Sequence, residues 1–240
     1  KIFKSHERKV YKKTFLQNVT MEANFATGAV NSDGYWERLT GYLHEHLAFD
    51  IPRDKEPMKG RLKLTAKDNP VSISYGDGLY ELNIGYECYR SFEDTMSVQI
   101  YRMLEYLKGV VQITKVDNLR YTKTNIWPIA LEDGKDAEMM LKYILRQEHR
   151  EGFAINHLKT DQRISREANE KLTDNINMKL RISAEKHDDT HILLRLDTIA
   201  EMSDIAVTDV LETLKDVNSV MYNAYMDIVS DDIIRIMESE

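Results

Sequence analysis

Residues 71–88 constrain the fold more than any other stretch of the chain. Val71, Ile73 and Tyr75 alternate with other residues, Gly76-Asp77-Gly78 offers turn positions that tolerate positive φ, and Tyr80, Leu82, Ile84, Tyr86 and Cys88 alternate on the return. A period of two places every second side chain on one face of a pleated strand, so this stretch predicts a β-hairpin with one buried face, Cys88 included. A sheet with one apolar face needs a second layer to cover it, and the flanking sequence supplies helices.

Val19, Met21, Ala23 and Phe25 alternate with Thr20, Glu22 and Asn24, predicting a half-buried strand over 14–25. Asn31, Ser32 and Asp33 offer N-caps to a helix carrying Trp36, Leu39, Leu43 and Leu47, which ends before Pro52. Asp50–Asn69 reads as a long connection with an edge strand over Arg61–Thr65. Beyond the hairpin, Ser91 and Asp94 open a helix with Met96, Ile100, Met103, Leu104 and Leu107 on one face, and Gly109 closes it. Gln112–Trp127 is strand-like and Pro128 stops it. The order strand, helix, strand, strand, helix, strand is that of the split βαβ, or ferredoxin-like, unit.

A second cycle follows. Asp133 and Gly134 start a helix with Met139, Met140, Tyr143 and Ile144 as its apolar positions, Gly152–Lys159 reads as a strand, and Ser165–Leu172 as a short polar helix. Ile176, Met178, Leu180, Ile182 and Ala184 alternate, the turn Lys186–Thr190 follows, and Ile192, Leu194 and Leu196 return. A long helix carries Leu211, Leu214, Val217, Met221, Ala224 and Ile228, and Ser230 caps a last turn ending near Met237. The expectation is an α+β protein of two consecutive ferredoxin-like units, with antiparallel sheets, helices on one face and a long C-terminal helix. The units span 1–130, with a basic N-terminal arm, and 131–240.

Composition narrows the function classes. The chain has 240 residues and a net charge of −7, yet residues 1–13 hold six Lys/Arg and one Glu, a local +5 that leaves −12 for the rest. An acidic body disfavours a broad nucleic-acid face, leaving the arm or a confined groove for that role. No apolar run approaches the roughly 18–20 residues that span a bilayer, and no secretory signal is evident, so a cytoplasmic protein without membrane contact is expected. A single cysteine excludes an internal disulfide.

The chemistry-bearing patterns are few. Neither GxxxxGK[ST] nor GxGxxG occurs, which disfavours those modes of phosphate binding, and no cofactor is expected. His187, Asp189 and His191 stand close enough to chelate a divalent ion, giving a metal-dependent hydrolase as one alternative; Asp pairs in a hairpin turn serve equally for local hydrogen bonds. Tyr75, Tyr80, Tyr86, Tyr89 and Tyr121, with Arg90, Arg120 and Lys123, suggest a stacking surface, so Arg120, Lys123, Lys12 and Lys13 are candidate nucleic-acid contacts for a second alternative, a nucleic-acid-binding or ribonuclease-like protein. If Arg120 is structural instead, it pairs with a carboxylate across the sheet. The favoured expectation is a non-enzymatic module that binds a protein partner or itself through sheet edges and its terminal helix.

Three segments carry a family likeness: Tyr11–Leu16 leading into Val19–Phe25, Tyr89-Arg90-Ser91-Phe92-Glu93, and Asn118–Ile126 (Asn-Leu-Arg-Tyr-Thr-Lys-Thr-Asn-Ile). With the ending Val229–Met237 they resemble an uncharacterised, sporadically distributed family of bacterial proteins about 250 residues long, marked by a "GLRYIN"-like strand and a C-terminal "IT-x-x-l-r-x-M" helix. Asn118 stands where that family tends to have Gly, and Lys123 where it tends to have Asn. The resemblance implies a bacterial cytoplasmic setting and a fold, and no activity.

Overall fold

A computed structural model of the chain describes residues 3–9, 11, 13–26, 62–65, 71–76, 78–131, 136–188 and 190–239. Its centre is one eight-stranded antiparallel sheet. The strands are β1 (Leu16–Asn24), β2 (Leu62–Thr65), β3 (Val71–Gly76), β4 (Leu79–Gly85), β5 (Lys115–Ala130), β6 (Arg163–Thr173), β7 (Ile176–Lys186) and β8 (His191–Ala206), in the order β2-β3-β4-β1-β5-β8-β7-β6. The described helices are α1 (Ser97–Tyr106), α2 (Ala137–Ile144), α3 (Gln147–Arg150), α4 (Val210–Ile228) and α5 (Asp231–Glu238); π-helical turns at Phe92–Met96 and Leu107–Val111 extend α1 at both ends. The expected helix carrying Trp36 lies outside the described residues.

The α+β class and the antiparallel pairing are as expected, but the two separate sheets are one. β5 and β8 pair along their length, from Lys115 opposite Ala206 to Ala130 opposite His191, and each is long enough to bind a neighbour on both sides. The second half is a meander of β6, β7 and β8 followed by helices. Ser165–Leu172, expected as a helix, lies within strand β6, because an edge strand is held by backbone hydrogen bonds to β7 and leaves its polar side chains in water. Residues 152–159, expected as a strand, form turns.

Pro128 does not stop β5. Ile126 donates its N–H to Phe15 O (3.0 Å), so Pro128, two residues on, directs its missing donor the same way, past the end of β1. Cys88 falls in a 3-10 turn, Tyr86–Cys88, after β4 has ended at Gly85; it is only partly buried, and Tyr86 is exposed. On α2 the buried face is Ala137, Leu141 and Ile144, whereas Met139, Met140 and Tyr143 are exposed.

The core lies on one face of the sheet. Val19, Met21 and Ala23 of β1, Leu82 and Ile84 of β4, Tyr121 of β5 and Ala200 of β8 meet Ile100 and Met103 of α1 and Leu214, Val217 and Met221 of α4. Further along, Trp127, Ile129, Leu194 and Leu196 meet α2 and α5 through Leu141, Ile144, Ile233 and Met237. The opposite face carries the polar set of each alternation, with a buried knot at its centre: Thr124 donates its hydroxyl to Asp197 (2.7 Å), and Arg195 Nε contacts both Asp197 oxygens at 2.8 and 2.9 Å.

Candidate functional site

The helix-bearing face of β5 does not close completely. At Lys123 and Asn125 the apolar series of Leu119, Tyr121, Trp127 and Ile129 is interrupted by two polar side chains pointing the same way, because residues two apart share a face. Above them lies a cavity of about 380 Å³. Its walls are Tyr89–Glu93 from the turn that opens α1, Met221, Tyr222 and Tyr225 of α4, Met237 of α5, and Arg8, Lys9, Tyr11 and Thr14 of the N-terminal arm.

The arm forms a wall because α4 holds it. Asp227 accepts from the Lys4 N–H (2.7 Å) and contacts His6 Nε2 (2.7 Å), Asn223 accepts from the His6 N–H (3.0 Å), and Tyr222 donates its hydroxyl to Glu7 O (2.9 Å). The basic charges of the arm are partly neutralised: Arg8 pairs with Glu93 at 3.2 Å and Lys9 with Glu238 at 2.8 Å. Lys13 donates to the Ser239 hydroxyl (3.2 Å), and Lys12 lies outside the described residues.

Lys123 is different. Its Nζ sits 5.3 Å from the Tyr89 ring centroid and 5.9 Å from that of Tyr121, and among the described residues it has no hydrogen-bond or ion-pair partner. The side chain is partly buried against the cavity that it lines. Burial, reinforced by the Arg8 charge and only partly offset by Glu93, lowers its pKa from 10.5 to about 7. Aromatic faces attract a cation, but they supply no counter-charge and no acceptor lone pair. Burial also raises the Tyr89 hydroxyl to about 12 and that of Tyr121 well above its ordinary value, so both remain neutral phenols near pH 7. Arg90, exposed at the rim, likewise has no side-chain partner among the described residues.

The expected sites divide on this geometry. Arg120 and Lys123 are three apart on a strand and lie on opposite faces; Arg120 faces Glu201 across the sheet at 4.0 Å, the structural role foreseen as its alternative. Of the metal triad, Asp189 lies outside the described residues. His187 donates its N–H to His191 O, and Asp188 accepts from Thr190 N, Thr190 Oγ1 and His191 N at 2.6–2.7 Å, which holds the Asp188 carboxyl down near 2 and makes the turn self-satisfied. Among the described residues no group of three or more His, Cys, Asp or Glu side chains is placed to hold a metal.

The aromatic and basic pattern of the sequence groups Lys123 with Tyr89 and Arg90, which line the same cavity, but not with the rest of its walls. Arg8, Glu93, Tyr222 and Tyr225 come from elements far apart in the chain, and nothing local marks their convergence. The one available signal was the polar interruption at 123 and 125 in an otherwise apolar strand face. Among the described residues no helix is long and apolar enough to cross a membrane. Compared with protein-family models, curated proteins and solved structures, the chain matches none.

Proposed function

We propose that the protein binds a small organic anion in the cavity around Lys123. The observation that carries this reading is that the side chains of Arg90 and Lys123, on the walls of one cavity, have no hydrogen-bond or ion-pair partner among the described residues, in a chain whose net charge is −7. A partly buried cation without a counter-charge is destabilised, and a bound anion offsets that cost. The tyrosine faces of positions 11, 89, 222 and 225 suit a flat or apolar body behind the anionic group. The test is ligand-observed NMR with benzoate, phenylphosphate and phenylpyruvate. Binding that weakens about tenfold or more in Arg90→Ala is expected; absence of binding by every anion, or equal binding by Arg90→Ala and Lys123→Met, overturns the reading.

A second reading, self-association, is favoured by strand β6. It is a sheet edge, largely exposed, and self-complementary about Ala168. Antiparallel pairing with a second copy sets Arg166 against Glu170 twice, on one face by the alternation. Arg166→Glu then breaks a dimer detected by light scattering, and Arg166→Glu with Glu170→Arg restores it; a wild-type monomer at high concentration refutes this pairing.

A further inference from the structure

We propose that Lys123 is a nucleophile that forms a reversible imine with a small 2-oxo acid held in its cavity. This rests on the anion-binding reading and adds a covalent step to it. An enclosed amine needs three things to react with a carbonyl: an open path, no competing acceptor or counter-ion, and a means of holding the carbonyl compound beside it. The cavity of about 380 Å³ gives the first. The second is met because, among the described residues, the amine has no hydrogen-bond or ion-pair partner and faces the Tyr89 and Tyr121 rings, with centroids 5.3 and 5.9 Å away. To Arg90, at the rim of the same cavity, falls the third, since a guanidinium takes a carboxylate through two parallel hydrogen bonds.

The step balances without a further reactant. The Nζ lone pair attacks the keto carbon, a C–N bond forms as the C=O π bond opens onto oxygen, and the first of the two Nζ protons passes to that oxygen to give a neutral carbinolamine. Loss of that oxygen as water, with one proton from nitrogen, leaves C=N. The charged and titratable groups that line the cavity or face the amine are Arg8, Lys9 and Tyr11 from the arm, Arg90, Glu93 and Tyr89 from the turn opening α1, Tyr121 on β5 itself, and Tyr222 and Tyr225 from α4. Burial, reinforced by Arg8 and partly offset by Glu93, lowers the Lys123 pKa to about 7 and keeps the free amine populated near neutral pH. At pH 7 an ordinary lysine is on the order of a thousandfold poorer in free amine.

The test is reductive trapping. Protein is incubated with phenylpyruvate at pH 7 and reduced with cyanoborohydride, and the adduct is counted by intact mass and located by peptide mapping. Binding of phenyllactate, which has the carboxylate but no ketone, is followed in parallel by ligand-observed NMR. One adduct at Lys123, lost in Lys123→Met while that variant keeps its far-UV circular dichroism, is the expected result. Phenyllactate binding with no trapped adduct overturns the imine and leaves the anion site standing. Neither binding nor adduct overturns both. Labelling spread over many lysines and unchanged in Lys123→Met also overturns the imine.

Discussion

Replacing Lys123 by methionine should stabilise the protein, and by an amount that depends on pH. The folded chain holds this amine at about 7 against an ordinary 10.5. Below pH 7 the amine is charged in both folded and unfolded states, and the folded state bears the full cost of burying it. Between 7 and 10.5 the unfolded chain is protonated at this site and the folded chain is not, so wild-type stability rises with pH through that window. A shift of about 3.5 units at about 1.36 kcal/mol each sets an upper bound of about 5 kcal/mol. The side chain is only partly buried and its ammonium is attracted by the Tyr89 and Tyr121 rings, so solvent screening and the cation–π contacts reduce the net figure to about 2 kcal/mol. Methionine preserves most of the side-chain volume and needs no counter-charge. Urea unfolding at pH 6, 7.5 and 9 measures the difference between the two proteins, in which the other titrating groups cancel. The variant should lead by about 2 kcal/mol at pH 6, or about 4–8 °C in melting temperature for a chain of this size, and the lead should shrink steadily above pH 7. A lead that stays constant from pH 6 to 9, or a variant less stable at pH 6, would refute the reasoning.

Ser230→Ala should cost about 1–2 kcal/mol, because the Ser230 hydroxyl accepts from Ile233 N–H at 3.2 Å to start α5 and also donates to Tyr143 O; faster amide exchange at Ile233 with α4 unchanged would localise the effect. Thr124→Val removes the hydroxyl donated to the buried Asp197 carboxylate at nearly constant volume, and a loss of about 1–3 kcal/mol in urea unfolding with an unchanged slope is expected. No loss there would show that Arg195 alone satisfies Asp197. Asp227→Ala removes the acceptor of Lys4 N–H and the partner of His6, so trypsin should cleave at Arg8 and Lys9 markedly faster while global stability falls by only about 1 kcal/mol; unchanged cleavage would show that Tyr222 and Asn223 suffice to hold the arm.

Local pattern carried a large part of the fold. The alternations at Val19–Phe25, Val71–Leu82 and Ile176–Ala184 became β1, the β3–β4 hairpin and β7, and the stripe from Leu214 to Ile228 became the buried side of α4. Such patterns are legible because a half-buried element must repeat at the period of its own backbone. Where an element is not half-buried, the pattern fails. Strand β6 is an edge with exposed side chains and no apolar period, so it read as a polar helix, and α2 offered two apolar stripes of which packing against α5 and β5 used the less obvious one.

The sequence by itself determined the α+β class, the antiparallel pairing, the hairpin, the long terminal helix and the cap at Ser230, all of which depend on neighbours within a few residues. Only the tertiary structure decided that the strands form one sheet through the β5–β8 pair, that the basic arm is docked on α4, and that Arg120 and Lys123 face opposite ways. It also turned a lysine in an apolar strand into an unpaired amine at the base of a cavity. Those outcomes depend on contacts between residues up to more than two hundred positions apart, such as His6 with Asp227. No local period encodes such contacts, because they are selected by the free energy of packing the whole chain.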